Sequence, residues 1–543
     1  MTVLKNPGLP GKRSFRTVVY ASSGLNYAAV PLLNQYQVFD TPDPDFVTGR
    51  LDISVFANLG ASVPWPFANT DVPVNGQVSI PRGGGPFPLA LFAHGNHSPF
   101  ENSTPGYLYL CELLASHGVI AATIDVNFLN GNNFGENDAR AIVHLEHVKQ
   151  FRTWNNTHNH PLHRKVDLDR VLLVGHSRGG EGVGHASLFN LLNAVQPDAF
   201  SPVVPLDGSV GLGPYHFTLS AVAAIAPTDR QYEPLTGPTV VPDRYFLMHG
   251  SQDGDVSSFE GYNTYSRTHG VDLANPMVSD GKLKVLLWVI GADHNQFNSV
   301  WAPEFSPGPV ISRPDQEQVA KVELGALAQL LLLGRDGYLK VLKDHATAGL
   351  WMPTGSRLVS QYQDPRRLFV QHNQEGLAPP VVSAPVLGTV TSSGVQASRQ
   401  RFDLVNAGAP VPTITLRLEW TALGARIALD VSPATVPADQ FKVLSLRVGQ
   451  STEAQNPVGQ DQDFTVEVSC GSRTAAIRVS SLHRLLYPDV VFGTGKIVMQ
   501  TVRLPLKRLA RRGVEVRDLR SIALVFDRRP AGAVYVGDVQ LSD

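Results

Sequence analysis

The 543 residues are 43% hydrophobic and 17% charged, the profile of a folded chain too long for one hydrophobic core. Forty-five Lys and Arg against 47 Asp and Glu give a net charge of −2, which excludes a global pull toward nucleic acid or an anionic membrane. Only two cysteines, Cys111 and Cys470, are present; they read as reduced core residues, not a disulfide framework. No apolar run reaches membrane-spanning length. The opening 15 residues lack the apolar stretch of a secretory leader, so the expected location is cytoplasmic, or secreted with the leader missing from this sequence.

In chain order, residues 14–20, 51–57 and 76–81 read as an antiparallel lead-in, with Pro and Gly around them. From Phe87 the pattern alternates: strand 89–93, helix 107–117, strand 119–125, helix 139–154, strand 170–174 and helix 178–192. Strands at 221–226, 244–249 and 284–290 and a helix at 315–333 continue it. Such alternation specifies an α/β fold, a mostly parallel sheet with helices on both faces. The proline-rich segment 207–243 is expected to be irregular and to overhang the site, and 274–281 to be a loop. Residues 1–345 thus form the expected catalytic domain, with 1–85 as its lead-in, and 346–385 a linker or packed connection. Over 386–543 nine short strands with almost no helix, from 401–406 to 534–541, predict an all-β sandwich.

The chemistry gathers at strand ends. Val171-Leu-Leu-Val174 runs into Gly175-His-Ser177-Arg-Gly179, an apolar strand that stops at a serine between glycines before a helix. This is the form of a nucleophile elbow. A hydroxyl needs a base, and the base needs an orienting acid. The strand 245–249 leads to Gly250-Ser-Gln-Asp253-Gly-Asp255, and the strand 285–290 to Gly291-Ala-Asp293-His294. Ser177, Asp253 and His294 are therefore the expected nucleophile, acid and base. The spacing His249-Gly-x-x-Asp253-x-x-Val256 favours Asp253, with Asp255 as its rival, and Asp293 is expected to point elsewhere. Oxyanion donors are expected from the N–H groups of Arg178 and of Asn96, in the turn after Leu91-Phe-Ala-His94-Gly95, with the neighbouring His97 as the alternative to Asn96. His94 reads as structural.

His97, Phe128, Phe297 and Trp301 are candidate substrate-binding residues; Trp154 reads as core or pocket. Arg178 is expected to pair with Glu181 one turn later, the alternative being contact with an acidic substrate group. His158, His160 and His163 have chelating spacing, but no carboxylate or cysteine adjoins them, so a solvated loop is expected and no metal.

The motifs Phe92-Ala-His-Gly95, Gly175-His-Ser-Arg-Gly179, His249-Gly-Ser-Gln-Asp253 and Gly291-Ala-Asp-His294 resemble the α/β-hydrolase superfamily over roughly residues 45–345. Ile124-Asp-Val-Asn127 with Asp138-Ala-Arg140, and Gly291 to Asn298, are similar to the platelet-activating-factor acetylhydrolase and dienelactone hydrolase branch, which includes cutinase-like polyester hydrolases. The resemblance implies a serine carboxylic-ester hydrolase working through an acyl-enzyme with no metal or organic cofactor. Three departures stand out: Asn96-His97 where that branch carries an aromatic, Arg178 where it carries Met, and the long C-terminal β-region. That region ends in a stretch that resembles the close of a galactose-binding-like jelly roll. The expected partner is a small or polymeric ester, with glycan or surface contact through the β-domain. A serine peptidase or amidase, and a glycan- or surface-binding protein with an inert hydrolase domain, are the alternatives.

Overall fold

The computed structural model describes residues 4–59, 63–131, 136–231, 240–268, 281–306, 308–372, 387–402, 413–491 and 494–543. The chain divides into two compact units, Met1–Thr264 with Gly291–Arg357, and Tyr265–Ile290 with Leu358–Asp543.

The first unit is built on a large mixed sheet. Its strands are β1 (Phe15–Ser22), β2 (Val47–Thr48), β3 (Gly76–Pro81), β4 (Phe87–Ala93), β5 (Ile120–Ile124), β6 (Val166–His176), β7 (Leu219–Ile225) and β8 (Tyr245–Gly250). In space they run β2-β1-β3-β5-β4-β6-β7-β8. β1 and β3 pair antiparallel, as do β3 and β5. From β5 onward the pairs are parallel, with Leu89 opposite Ile120, Leu91 opposite Leu173 and Val222 opposite both Leu173 and Tyr245. β4, β5, β7 and β8 are buried along their whole length, which is why they read as unbroken apolar runs instead of alternating ones. Helices α1 (Leu108–His117), α2 (Asn137–Asn156), α3 (Arg178–Phe189) and α4 (Arg313–Leu331) cover the sheet, α2 packing on α3 and α1 on α4. This is the α/β class that the alternation predicts.

Residues 51–57 do not form the expected strand. Only Arg50–Leu51 is extended, because Asp52 Oδ1 accepts the N–H of Ser54 at 2.9 Å and its hydroxyl at 2.6 Å. That side-chain turn breaks the alternation of Leu51, Ile53 and Val55.

The second unit contains β9 (Lys284–Val289) and β10 (Leu358–Gln363), antiparallel with Lys284 opposite Gln363. Two further antiparallel sheets follow. One has the order Val395–Arg401, Ile414–Trp420, Gly532–Ser542, Val443–Gln450, Gln500–Pro505, and Arg367–His372 also pairs with Gly532–Ser542. The other runs Thr389–Ser393, Ala425–Asp430, Leu519–Phe526, Thr465–Cys470, Arg473–Arg478. Side chains of both sheets share one core: Leu418, Trp420 and Val536 from the first meet Ile427, Val466 and Phe526 from the second. The Trp420 and Phe526 rings stack with centroids 4.0 Å apart. At one edge of this core Asp538 is buried between His372 Nδ1 at 2.7 Å and Arg447 Nε at 2.9 Å.

The stretch 346–385, read as a linker or packed connection, contributes β10 and the strand Arg367–His372. The expected strand 401–406 and the loop 274–281 lie mostly outside the described residues. Both cysteines are unpaired and buried. Among the described residues no helix is long and apolar enough to cross a membrane.

Candidate active site

β6 ends at His176 and the chain turns at once into α3 through Ser177, whose φ of 57° and ψ of −128° are strained for a non-glycine residue. The strain is held by its neighbours. The Ser177 N–H donates to the Ile225 carbonyl at 2.9 Å, and its carbonyl accepts from Gly180 N–H at 2.8 Å. A Cβ on Gly175 would collide with the carbonyl of Gly179, so the turn closes this tightly only with glycine. The nucleophile candidate thus stands at the carboxyl end of a central parallel strand and at the start of a helix, where N–H groups and the positive dipole end gather.

The loop after β4 passes directly beside it, since a Cβ on Gly95 would overlap that of Ser177. His94 fixes this loop. Its Nε2 accepts the Val126 N–H at 3.2 Å, so the proton sits on Nδ1, which donates to the Gly95 carbonyl at 2.8 Å. Burial lowers its pKa to about 3, and it stays a neutral strut. The Asn96 side chain accepts from Gly131 N–H at 2.8 Å. Asn96, Ser177 and Arg178 line a cavity of about 90 Å³ with Thr228, Gln231, Asp255, Val256 and Glu260.

Asp253 and His294 are fully buried and meet, His294 Nδ1 donating to Asp253 Oδ2 at 2.8 Å. The other carboxylate oxygen, Oδ1, accepts the N–H groups of Val256 at 2.6 Å and Asp255 at 3.1 Å. His249 Nε2 lies 3.0 Å from Oδ2, a second imidazole on the same acid. Burial would raise the pKa of Asp253, but the two imidazoles hold it below the usual carboxylate range. Burial would likewise lower that of His294; Asp253, with Asp255 and Glu304, holds it up at about 9. The exposed Asp255 carboxylate is 3.5 Å from His294 Nε2, the ring atom opposite the one that meets Asp253. Asp293 turns away, its carboxylate accepting from the backbone and side chain of Gln296, both at 2.8 Å.

The His294 ring lies 4.7 Å from that of His176, the residue before the serine. His176 Nδ1 is bonded to the Tyr107 hydroxyl at 2.7 Å, and burial, with the charge of His294, keeps this imidazole well below its ordinary pKa. Trp301 packs on His176 at 5.1 Å and stacks on His97 at 4.7 Å. Phe297 meets the edge of His176 at 6.1 Å, and Phe128 meets Phe67 at 5.9 Å. Of the four candidate substrate-binding residues, Phe128, Phe297 and Trp301 are buried and packed on other rings, and His97 is partly exposed, 3.3 Å from Glu101.

Arg178 bonds Glu136 at 2.6 Å, across the sheet-covering layer and 42 residues back. Arg140, buried, reaches the same carboxylate at 3.5 Å and donates to the His94 carbonyl at 3.2 Å, so one ion cluster braces the elbow helix and the Gly95 loop. Glu181, the expected partner, accepts from the Thr228 hydroxyl at 2.7 Å. In the His158 cluster, His160 stacks on Trp154 and bonds the Asp45 carbonyl at 2.7 Å. Among the described residues no group of three metal-binding side chains occurs.

Three contributors lack a sequence signal of the kind used above. Glu136 lies at the N-cap of another helix, Glu304 in irregular chain, and His176 reads merely as the elbow's second residue. His249 alone was visible, inside the His249-to-Val256 spacing.

Residues 49–228 match the model of the family described as Chlorophyllase, an α/β-hydrolase-type esterase family. The matched span runs from the lead-in strands through the Gly95 loop and the Ser177 elbow, and ends before Asp253 and His294. It supports the α/β-hydrolase superfamily and, within it, an ester hydrolase. A search of curated proteins found no match.

Proposed function

We propose that this protein is a serine carboxylic-ester hydrolase that works through an acyl-enzyme, with Ser177 as nucleophile, His294 as base and Asp253 as orienting acid. The observation that carries the reading is the buried 2.8 Å pair between His294 Nδ1 and Asp253 Oδ2, with the His294 ring 4.7 Å from that of His176, the residue before the serine of the strained elbow. With Nδ1–H directed at Asp253, neutral His294 presents Nε2 as an acceptor.

In the first half-reaction Nε2 takes the Ser177 proton as Oγ bonds the ester carbonyl carbon, and the carbonyl electron pair moves onto oxygen. The N–H groups of Arg178 and Asn96 would receive that oxyanion. Collapse of the intermediate breaks the bond to the alcohol oxygen, which leaves with the proton from His294. A water molecule then repeats the sequence, giving its proton to His294 and releasing the acid as Ser177 recovers its hydrogen. Ester plus water gives acid plus alcohol, and no electrons change hands.

The cavity beside Ser177 is small, at about 90 Å³, and most of its lining side chains are polar. Such a space suits a short acyl group, so an acetyl ester should be turned over faster than its long-chain homologue. We place the enzyme with the platelet-activating-factor acetylhydrolase, dienelactone hydrolase and cutinase-like branch. We read the two antiparallel sheets of the second unit as a jelly-roll-like sandwich that contacts a glycan or polymeric substrate. Turnover of a p-nitrophenyl ester by the wild type and by Ser177→Ala tests the mechanism: the variant should lose about 10³-fold or more in kcat, and equal rates reject the assignment. A panel of aryl, polyester, acetylated-glycan and chlorophyll esters tests the substrate class.

A further inference from the structure

Glu304 lies ten residues beyond His294, in irregular chain between Trp301 and α4. A single oxygen of its carboxylate, Oε1, accepts two backbone N–H groups, that of Gly254 at 2.9 Å and that of His294 itself at 2.7 Å. Gly254 is the residue after Asp253. The loop that carries the acid and the loop that carries the base are thus joined through one atom of a third segment. The contact continues at the next residue, since a Cβ on Gly254 would collide with the Phe305 carbonyl.

We propose that Glu304 is a positioning residue that ties the Asp253 loop to the His294 loop and so sets the separation of acid and base. The proposal rests on reading Ser177, His294 and Asp253 as the acyl-transfer group. Hydrogen bonds to an ionised acceptor are the stronger kind, and among the described residues Glu304 is the acceptor found for both N–H groups. A misplacement of about 1 Å in such a constellation costs on the order of 100-fold in rate, so a tie at the backbone acts directly on the geometry that deprotonates the serine.

The tie also carries charge. Burial, reinforced by Asp253, raises the pKa of Glu304 to about 7. Protonation leaves an oxygen able to accept both N–H groups but removes a negative charge near His294. The charged and titratable groups facing His294 are Asp253, Asp255 and Glu304, with the imidazoles of His97, His176 and His249; those facing Glu304 are Asp253 and His294. Gln at this position keeps the acceptor and removes the charge, whereas Ala removes both.

The full-length wild type, Glu304→Gln, Glu304→Ala and Ser177→Ala are compared on p-nitrophenyl acetate for kcat, KM and pH profile, and the His294 imidazole is titrated by NMR. Glu304→Ala is expected to lose about 10- to 100-fold in kcat with KM within about threefold. Glu304→Gln is expected to recover kcat to within about threefold, with the acid limb and the His294 titration both at lower pH than in the wild type. The proposal is overturned if Glu304→Ala keeps the wild-type kcat, or if Gln and Ala lose activity alike with the limb unmoved. Should the Ala variant fail to fold, Glu304→Leu, which removes the acceptor and keeps the bulk of the side chain, takes its place, and a wild-type kcat in that variant overturns the tie. Should turnover prove independent of Ser177, the esterase reading fails separately, and the NMR signals of the Gly254 and His294 amide protons, expected to shift in Glu304→Ala and to stay in Glu304→Gln, still judge the tie: unmoved signals in the Ala variant overturn it.

Discussion

His294 carries the sharpest consequence at the scale of single residues. Only its neutral form accepts the serine proton, and its pKa is held above the ordinary imidazole value by the acids around it. Activity therefore falls as pH drops through that raised value, and kcat/KM should still be climbing between pH 7 and 9. Asp255 is one of those acids, 3.5 Å from Nε2. Asp255→Asn should move the acid limb to lower pH and so raise the activity measured at pH 7; a limb that stays in place refutes the field argument. Asp253→Asn tests the other role, because an amide facing Nδ1 admits the wrong tautomer, and the expected loss is about 10³- to 10⁴-fold in kcat. Loss on that scale in Asp255→Asn, with Asp253→Asn mild, would exchange the two assignments. The sequence favours Asp253 on spacing alone. The geometry adds the reason: Oδ1 is occupied by two backbone N–H groups of its own turn, which leaves Oδ2 aimed at the imidazole.

Among the elements, α4 contains a cost that its sequence hides. Glu323 is buried in the middle of the helix, its Oε1 has no hydrogen-bond partner among the described residues, and burial raises its pKa to about 8. Between the ordinary value near 4.5 and the folded value, the native state holds a proton that the unfolded chain has lost. Stability from this group is complete below pH 4.5 and declines as pH rises through about 8. Glu323→Gln should flatten that slope and raise Tm at pH 8 more than at pH 5, as thermal unfolding at the two values will show. What could be read from sequence follows the same physics. β4, β6 and β7 were legible because parallel strands buried on both faces must be apolar, and the elbow because its glycines are forced. β10 was not legible, since LVSQYQ buries Gln361 and Gln363 and carries no apolar stripe. The Arg178–Glu136 pair was hidden for another reason: local spacing nominates Glu181, and only the packing of α2 on α3 brings in a residue from 42 positions away.

At the scale of the whole molecule, the two units are not successive along the chain. The chain leaves the first unit at Thr264, returns at Gly291 and leaves again at Arg357. The segment Tyr265–Ile290, which belongs to the second unit, includes β9, and β9 ends only five residues before His294. Its partner there is β10, paired from Lys284 opposite Gln363 to Val289 opposite Leu358. A cut placed after Arg357, where the first unit ends, therefore strips the antiparallel partner from the strand that leads into the base loop. Alternate residues of the six in β9 would then present unpaired N–H and C=O groups along that edge. A chain ending after Asp364 retains the β9–β10 pair, so it should show higher soluble yield, a higher Tm and more Ser177-dependent turnover than one ending after Arg357. Equal behaviour of the two truncations would mean that the β9–β10 pair does not support the base, and that His294 is held by the first unit's own contacts, the Asp253 pair and the Glu304 tie.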